Sequence, residues 1–465
     1  MNKPESNDSV GQELYAKQEK IYPRQVHGMF ANLRVTGVLV LLGLYYGLPW
    51  LRWDDRQAVL LDLPARQFHI FGLTFFPQDF FYLAILLIIA ALALFFFTTL
   101  AGRLWCGYAC PQTVWTEVFL WIERKVEGDR PKQIKLDKAA WTTRKRLIKG
   151  TKHAIWILFS LWTGYTFVGY FTPITELAFK IGSLQTGPWE TFWVLFYSAA
   201  TYLNAGWMRE QVCIYMCPYA RFQSAMFDEN TLIISYDEAR GDPRGSRKRS
   251  ADPKALGLGD CIDCTLCVQV CPTGIDIRDG LQYQCIGCAA CVDVCDEVMD
   301  KMGYPKGLVR YTTENAMEGK PTRILRPRIF VYTVLLAALT TALLHALLTR
   351  IPLELDVIRD RNALYRETAD GAIENVYNLK LVNKDTHDHT FTITVSGIPT
   401  IQFAEQTIQE TVSAGEVANL PVRVRVKKNA LLKPGNDIEF VVRARDDRKL
   451  TTSEKARFIG PLSKQ

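Results

Sequence analysis

Along the 465 residues, long apolar runs alternate with stretches crowded with charge. A bilayer span takes roughly 20 residues of helix. Five runs read as such spans, at residues 36–51, 80–100, 154–171, 189–207 and 329–348. The first is short, and the third and fourth are diluted by Thr, Ser, Gly and Asn. For these three the competing reading is a helix buried in a soluble core. Trp and Tyr gather near the run ends, as they do at a membrane–water interface. After Arg350 the period changes to two. Residues 375–382, 389–396, 417–426 and 437–445 alternate apolar and polar side chains, with turn residues at 383–385, 413–415 and 433–436 between them. Several short strands over about 110 residues predict an all-β immunoglobulin-like sandwich.

Charge orients the spans. Residues 103–152 hold twelve Lys or Arg and the arm before Thr36 holds five, whereas residues 172–188 hold only Lys180 and residues 52–78 hold three. The positive-inside rule therefore puts the N-terminus, the 103–152 loop and the long 208–328 loop in the cytoplasm. With five spans the C-terminal domain is periplasmic. The polar start of the chain lacks the apolar core and cleavage site of a secretory signal, so the first run is read as a retained anchor. A net charge of +7 spread this way does not suggest a nucleic-acid binder.

The cysteines sharpen the picture. All twelve lie between Cys106 and Cys295, on the reducing side of that topology, where thiols stay free for metals. Cys261-x2-Cys264-x2-Cys267-x3-Cys271-Pro272 is followed by Cys285-x2-Cys288-x2-Cys291-x3-Cys295. In runs of this kind three thiolates wrap one [4Fe–4S] cubane and the fourth reaches the other cluster. One cluster is thus assigned to Cys261, Cys264, Cys267 and Cys295, the second to Cys285, Cys288, Cys291 and Cys271. The spacing predicts a bacterial-ferredoxin-like two-cluster domain. Zinc ligands, by contrast, come as separated CxxC pairs. Asp296 stands where a second Pro is usual, which affects the local turn rather than the ligation.

Four cysteines remain. Cys106-Gly-Tyr-Ala-Cys110-Pro111 follows the second run and Cys213-Ile-Tyr-Met-Cys217-Pro218 the fourth. The i, i+4 spacing puts both thiols of a motif on one side of a helix. If the motifs meet, four soft ligands converge, a set suited to Cu(I), zinc or an iron–sulfur centre, with Met216 as a weak thioether addition. The alternative is that they are small buried residues at helix ends. Residues 113–126 carry Val114, Val118, Trp121 and Ile122 on one face and Glu117, Arg124 and Lys125 on the other, predicting an amphipathic helix on the inner leaflet. The basic run 244–249 reads as a solvated loop. His153 and His345 read as hydrogen-bonded helix residues, with a metal or quinone as the lesser alternative; His387 and His389 offer a weak copper site. No CxxCH and no Gly-rich nucleotide fingerprint occurs.

At 102–116, Gly-Arg-Leu-Trp-Cys-Gly-Tyr-Ala-Cys-Pro-Gln-Thr-Val-Trp-Thr, and at 210–227, Glu-Gln-Val-Cys-Ile-Tyr-Met-Cys-Pro-Tyr-Ala-Arg-Phe-Gln-Ser-Ala-Met-Phe, the sequence resembles the CcoG/FixG/RdxA family of cytochrome oxidase accessory proteins. The likeness extends over nearly the whole chain beyond its first 20 or so residues. It implies a multi-pass protein of the bacterial inner membrane that reduces Cu(II) to Cu(I) for assembly of a cbb3-type haem–copper oxidase. Cys106, Cys110, Cys213 and Cys217 would then bind or reduce copper, and the eight ferredoxin cysteines would feed the electrons. Implied partners are membrane lipid, oxidase subunits or copper-delivery proteins and a cytoplasmic electron donor; a homodimer is the base-rate expectation. Two rival readings stay open: a membrane ferredoxin passing quinol electrons to a respiratory partner, and a scaffold with structural clusters. The expected division is an arm at 1–35, a four-helix membrane domain at 36–207, a cytoplasmic cluster segment at 208–328, a fifth span at 329–348 and the β domain at 350–465.

Overall fold

The computed structural model describes residues 20–461 apart from 386, 406, 407 and 432, and apart from the side chain of 224; most of the expected N-terminal arm lies outside these. Three helices among the described residues are long and apolar enough to cross a membrane: Met29–Trp50, Pro77–Ala101 and Pro327–Leu348. At ~1.5 Å per residue each reaches more than the ~30 Å of a hydrocarbon core. They contain helices α1 (Met29–Gly47) and α2 (Phe80–Ala101), and the third is the last α-helix among the described residues.

The expected five spans are therefore corrected to three. After α2 come α3 (Leu104–Tyr108), α4 (Pro111–Glu127) and α5 (Thr143–Val168). In α5 the first turns carry Arg144, Lys145, Arg146, Lys149 and Lys152, and the helix stops at Val168. Its apolar part, 154–168, covers only ~22 Å. The fourth run forms α6 (Pro188–Thr201), 14 residues long, and the chain then widens into π-helical turns at Tyr202–Met208. A helix of that length covers ~21 Å. The Thr, Ser and Asn that dilute these two runs accompany this shortfall: Ser160, Thr163, Thr166 and Ser198 are buried inside protein.

The chain divides into two compact units. One comprises residues 1–47, 90–168 and 178–336. It contains α7 (Pro218–Met226), α8 (Leu266–Val270) and α9 (Ala290–Met302), and an antiparallel pair, Ile233–Tyr236 with Val309–Thr312, in register Ile233↔Thr312. Ile234, Ile277, Val292, Met299, Leu308 and Val309 form the buried core beneath the ferredoxin cysteines. The start of α1 is tied to this core. The Asp293 carboxylate, buried on α9, accepts from the amides of Phe30 (3.2 Å) and Ala31 (2.7 Å). It satisfies N–H groups that no turn of α1 can reach, as a capping side chain does.

The other unit comprises 48–89, 169–177 and 337–465. Its C-terminal strands form two separate open sheets, so among the described residues a closed β topology is not found and the expected sandwich is corrected accordingly. One sheet runs Gln402–Phe403, Val417–Lys427, Ala372–Asn383, Leu353–Arg359; the other runs Ile408–Val412, His389–Ser396, Gly435–Ala444, Thr451–Ile459. Alternate residues of the long central strand, Tyr377, Leu379 and Leu381, are fully buried, as a period of two requires. Residues 52–78, between the first two spans, include a three-stranded sheet, Val59–Asp62, Gln67–Ile70 and Leu73–Phe75. Buried Asp79 binds Arg350 at 2.9 Å and Lys384 at 2.8 Å, fixing the start of the second span, the end of the third and the β domain to one another.

Asp293→Ala is expected to cost about 1 kcal/mol of local stability, read as faster hydrogen exchange at the amides of Phe30 and Ala31; Asp293→Asn should keep most of the protection.

Candidate functional site

The two ferredoxin runs fold as near-copies. In each, the residues before and after the second cysteine adopt left-handed backbone: Asp263 (φ 51°) and Thr265 (55°), then Gly287 (67°) and Ala289 (57°). Thr265 and Ala289 then cap α8 and α9. For a β-branched Thr this conformation is a genuine outlier. Such residues turn successive backbone N–H groups inward, the shape that receives an anionic cluster. Cys261, Cys264, Cys267 and Cys295 line one small cavity of 30 Å³. Cys271, Cys285, Cys288 and Cys291, joined by Cys267, line a second of 20 Å³. Each run thus gives three thiols to its own cavity, and its last cysteine faces the other.

Apolar side chains dominate the surroundings, with Ile262, Leu266 and Val298 around the first cavity, which Arg278 and Tyr236 also line, and Ile234, Ile275 and Ile286 around the second. Burial pushes the Cys285 and Cys295 thiols up to about 12, against N–H donors at Gly287 and Val309, and Cys267 up to about 11, against the charge of Arg278 and the Val268 N–H. Ionising such a thiol alone is costly, and a cationic iron centre relieves that cost. The donor set, the left-handed loops and the inward N–H groups fit a [4Fe–4S] cluster in each cavity. Arg247, from the run expected to be a solvated loop, instead donates to the Cys261 carbonyl (3.3 Å) and to Tyr304 (3.1 Å).

The two CxxxCP motifs also fold alike. Cys110 and Cys217 both cap a helix, α4 and α7, with Pro in its first position. That placement needs no N–H from Pro and uses its fixed φ. Cys106 lies on α3 and Cys213 in a π-helical turn, Val212–Met216. The motifs come together: Cys106 feels the charge of Cys110 and Cys213, and Cys110 and Cys213 feel that of Cys217. Burial pushes Cys106 and Cys213 up to about 12, reinforced by Cys110 and opposed by Arg103. The Cys106 thiol donates to Oε1 of the fully buried Gln223 (3.2 Å). Met216 is 60% exposed. No three His, Cys, Asp or Glu side chains among the described residues converge to hold a single metal ion.

Next to this thiol site lies the second cluster loop. A Cβ on Gly107 would stand 2.7 Å from the Gly287 carbonyl oxygen and 3.0 Å from the Cys288 Cα, so only glycine permits this approach. Arg103, buried, clamps the junction: its guanidinium donates to the Cys285 carbonyl (3.2 Å) and to the Ala220 carbonyl on α7. Arg34 adds a 2.6 Å bond to the Cys288 carbonyl. Gln112, just after Cys110-Pro111, donates to the carbonyls of Asn204 (2.8 Å) and Arg209 (3.0 Å), holding the segment that leads to Cys213. Sequence reasoning assigned no role to Arg103, Gln112 or Gln223, although all three lie inside the quoted signatures.

Helix α4 does more than rest on a leaflet. Trp121 is exposed, but Val114, Phe119 and Ile122 are buried, with Phe119 packed on Trp156 of α5. Its buried Glu123 binds Arg209 (2.7 Å) and Lys152 (3.3 Å). Of the histidines, His153 bonds the Tyr202 hydroxyl (2.9 Å), and His389 sits between Asp385 (2.9 Å) and Asp446 (2.6 Å).

Residues 208–314 match the family described as a 4Fe-4S dicluster domain, and 83–127 match a 4Fe-4S binding domain. Residues 343–461 match the IG-like fold at the C-terminal of FixG. The protein RdxB of Cereibacter sphaeroides is 44% identical over 405 residues, covering 84% of this chain and 85% of RdxB. The nitrogen fixation protein FixG of Rhizobium meliloti is 41% identical over 423 residues, covering 83% and 81%. This chain belongs to the FixG/RdxA family. A crystal structure of a FixG-related protein from Vibrio parahaemolyticus is 33% identical, covering 24% of this chain and 98% of that one, with a TM-score of 0.22. These matches support an iron–sulfur redox protein with two clusters, and its long apolar helices support membrane association.

Burial alone would raise Glu123, but Arg209, Lys20 and Lys152 outweigh it and hold the carboxyl at about 2, below its ordinary 4.5. A depressed folded-state value stabilises above pH 4.5, and that contribution is lost as pH falls towards 2. Glu123→Gln should make the fall of melting temperature over this window shallower.

Proposed function

We propose that this FixG/RdxA protein reduces Cu(II) to Cu(I) at the CxxxCP thiols, using electrons held by the two ferredoxin-type clusters, and supplies Cu(I) for assembly of a cbb3-type oxidase. The observation that carries this reading is the backbone contact of Gly107 with Gly287 and Cys288, which sets the Cys106 motif against the second cluster loop. Cys261, Cys264, Cys267 and Cys295 would hold one cluster and Cys271, Cys285, Cys288 and Cys291 the other. Bound clusters supply one electron at a time, the number that Cu(II) needs to become Cu(I).

The chain's own residues do the rest. Cys106, Cys110, Cys213 and Cys217 offer soft sulfur, which favours Cu(I) over Cu(II) and so draws the reduction forward. Arg103 holds the two motifs and the cluster loop at fixed spacing. Gln112 and the Arg209–Glu123 pair fix the approach of the second motif. Because burial disfavours the thiolates, copper capture must displace protons from them. A single-ion site is not closed in this conformation, so capture of copper would draw the thiols further together.

We infer the sidedness from charge: residues 102–326 face the cytoplasm and the β domain faces the periplasm. Three spans alternate sides as five would. The shared ion pairs of Asp79, Arg350 and Lys384 support placing the first extramembrane loop and the β domain on one side.

Cys106→Ser with Cys213→Ser should abolish Cu(II) reduction by chemically pre-reduced protein while iron content stays at about eight per chain; undiminished reduction would sink the proposed site. Gly107→Val should cost about 1–3 kcal/mol through overpacking and slow Cu(I) formation, with both cluster signals retained by EPR.

A further inference from the structure

A cavity of 530 Å³ opens between α1, α4 and the second cluster loop, within one compact unit. Small-molecule sites span about 300–1,000 Å³ with mostly apolar walls and a few polar groups. Here Val35, Val38, Leu39 and Leu42 come from the first span, and Val118 and Trp121 from α4. The same wall contains Cys213 of the thiol site and Cys288 of the second cluster loop. Its charged groups are Glu117, paired with Arg124 at 2.9 Å, Glu210, and Arg24, Arg34 and Arg209.

Each feature narrows the occupant. Span residues in the wall favour a molecule that partitions into lipid. Cys288 in the wall puts that molecule beside the residue assigned to a one-electron centre. A hydrated metal ion gains nothing from four aliphatic side chains. We propose that this cavity binds a lipid-soluble hydroquinone, which serves as the electron donor to the clusters.

The step balances. One hydroquinone loses two electrons and two protons, breaking both O–H bonds and leaving the quinone. Two bound clusters would take one electron each, and the two protons pass to water. This rests on reading the eight ferredoxin cysteines as cluster ligands, and it names the donor that the copper reaction requires.

The test uses full-length protein in lipid nanodiscs with both clusters present. Binding of decylubiquinone is measured by equilibrium dialysis, and cluster reduction by decylubiquinol is followed anaerobically by EPR. Val38→Trp and Val35→Phe fill the cavity from the first span and leave every cysteine in place. Each should weaken quinone binding by about tenfold or more and slow reduction by the quinol, while dithionite still reduces both clusters. Unchanged quinone binding in both variants overturns the proposal. So does a phospholipid, found by native mass spectrometry, that occupies the cavity and is not displaced by the quinone. A separate arm offers Cu(II) to dithionite-reduced protein. If no Cu(I) forms there, the copper reading fails while the donor proposal stands on its binding result.

Discussion

Arg103 acts on thiols of both candidate sites. It pulls down Cys106 and Cys213 on one side and Cys285 on the other, against burial that raises all three. Its guanidinium meets the carbonyls of Cys285 and Ala220, so its charge is dispersed into dipoles rather than paired with a carboxylate. Carbonyl acceptors satisfy the donors of a buried guanidinium while leaving its positive charge to be felt by neighbouring sulfur. Together with the glycine contact at position 107, this makes two sulfur-rich loops, distant in sequence, into one body. If either yielded, the thiol site would part from the cluster loop, and an electron route between them would lengthen.

Much of this was legible in the chain. The ferredoxin spacing expects three thiolates on one loop and a fourth from elsewhere, and each small cavity is lined by three cysteines of one run and the last cysteine of the other. Four strands of the β domain emerge close to their expected limits because each has one buried face, as Tyr377, Leu379 and Leu381 show. The strand Thr451–Ile459 escaped because it lies at a sheet edge, where most of its positions stay wet and the alternation fades.

The misreadings have a common physical origin. Runs 154–171 and 189–207 are apolar in composition, but composition does not reveal where a helix ends. One stops at Val168, and the other changes to π-helical turns after Thr201. Glu123, to which the sequence reading of this helix gave no role, is buried and reached from other elements by Arg209 and Lys152. Arg209 does so from a left-handed backbone (φ 44°), a conformation that no local pattern announces. Arg103, Gln112 and Gln223 act through contacts with distant segments, which only the folded chain displays.

The central claim is that cluster electrons leave through the CxxxCP thiols to copper. Dithionite-reduced, desalted full-length protein would be titrated anaerobically with Cu(II), with Cu(I) counted by a chelating dye and reduced clusters counted by EPR. The account predicts one Cu(I) formed for each cluster spin lost. Cu(I) appearing while the cluster signals persist would show that the thiols themselves were the reductant, and would contradict it.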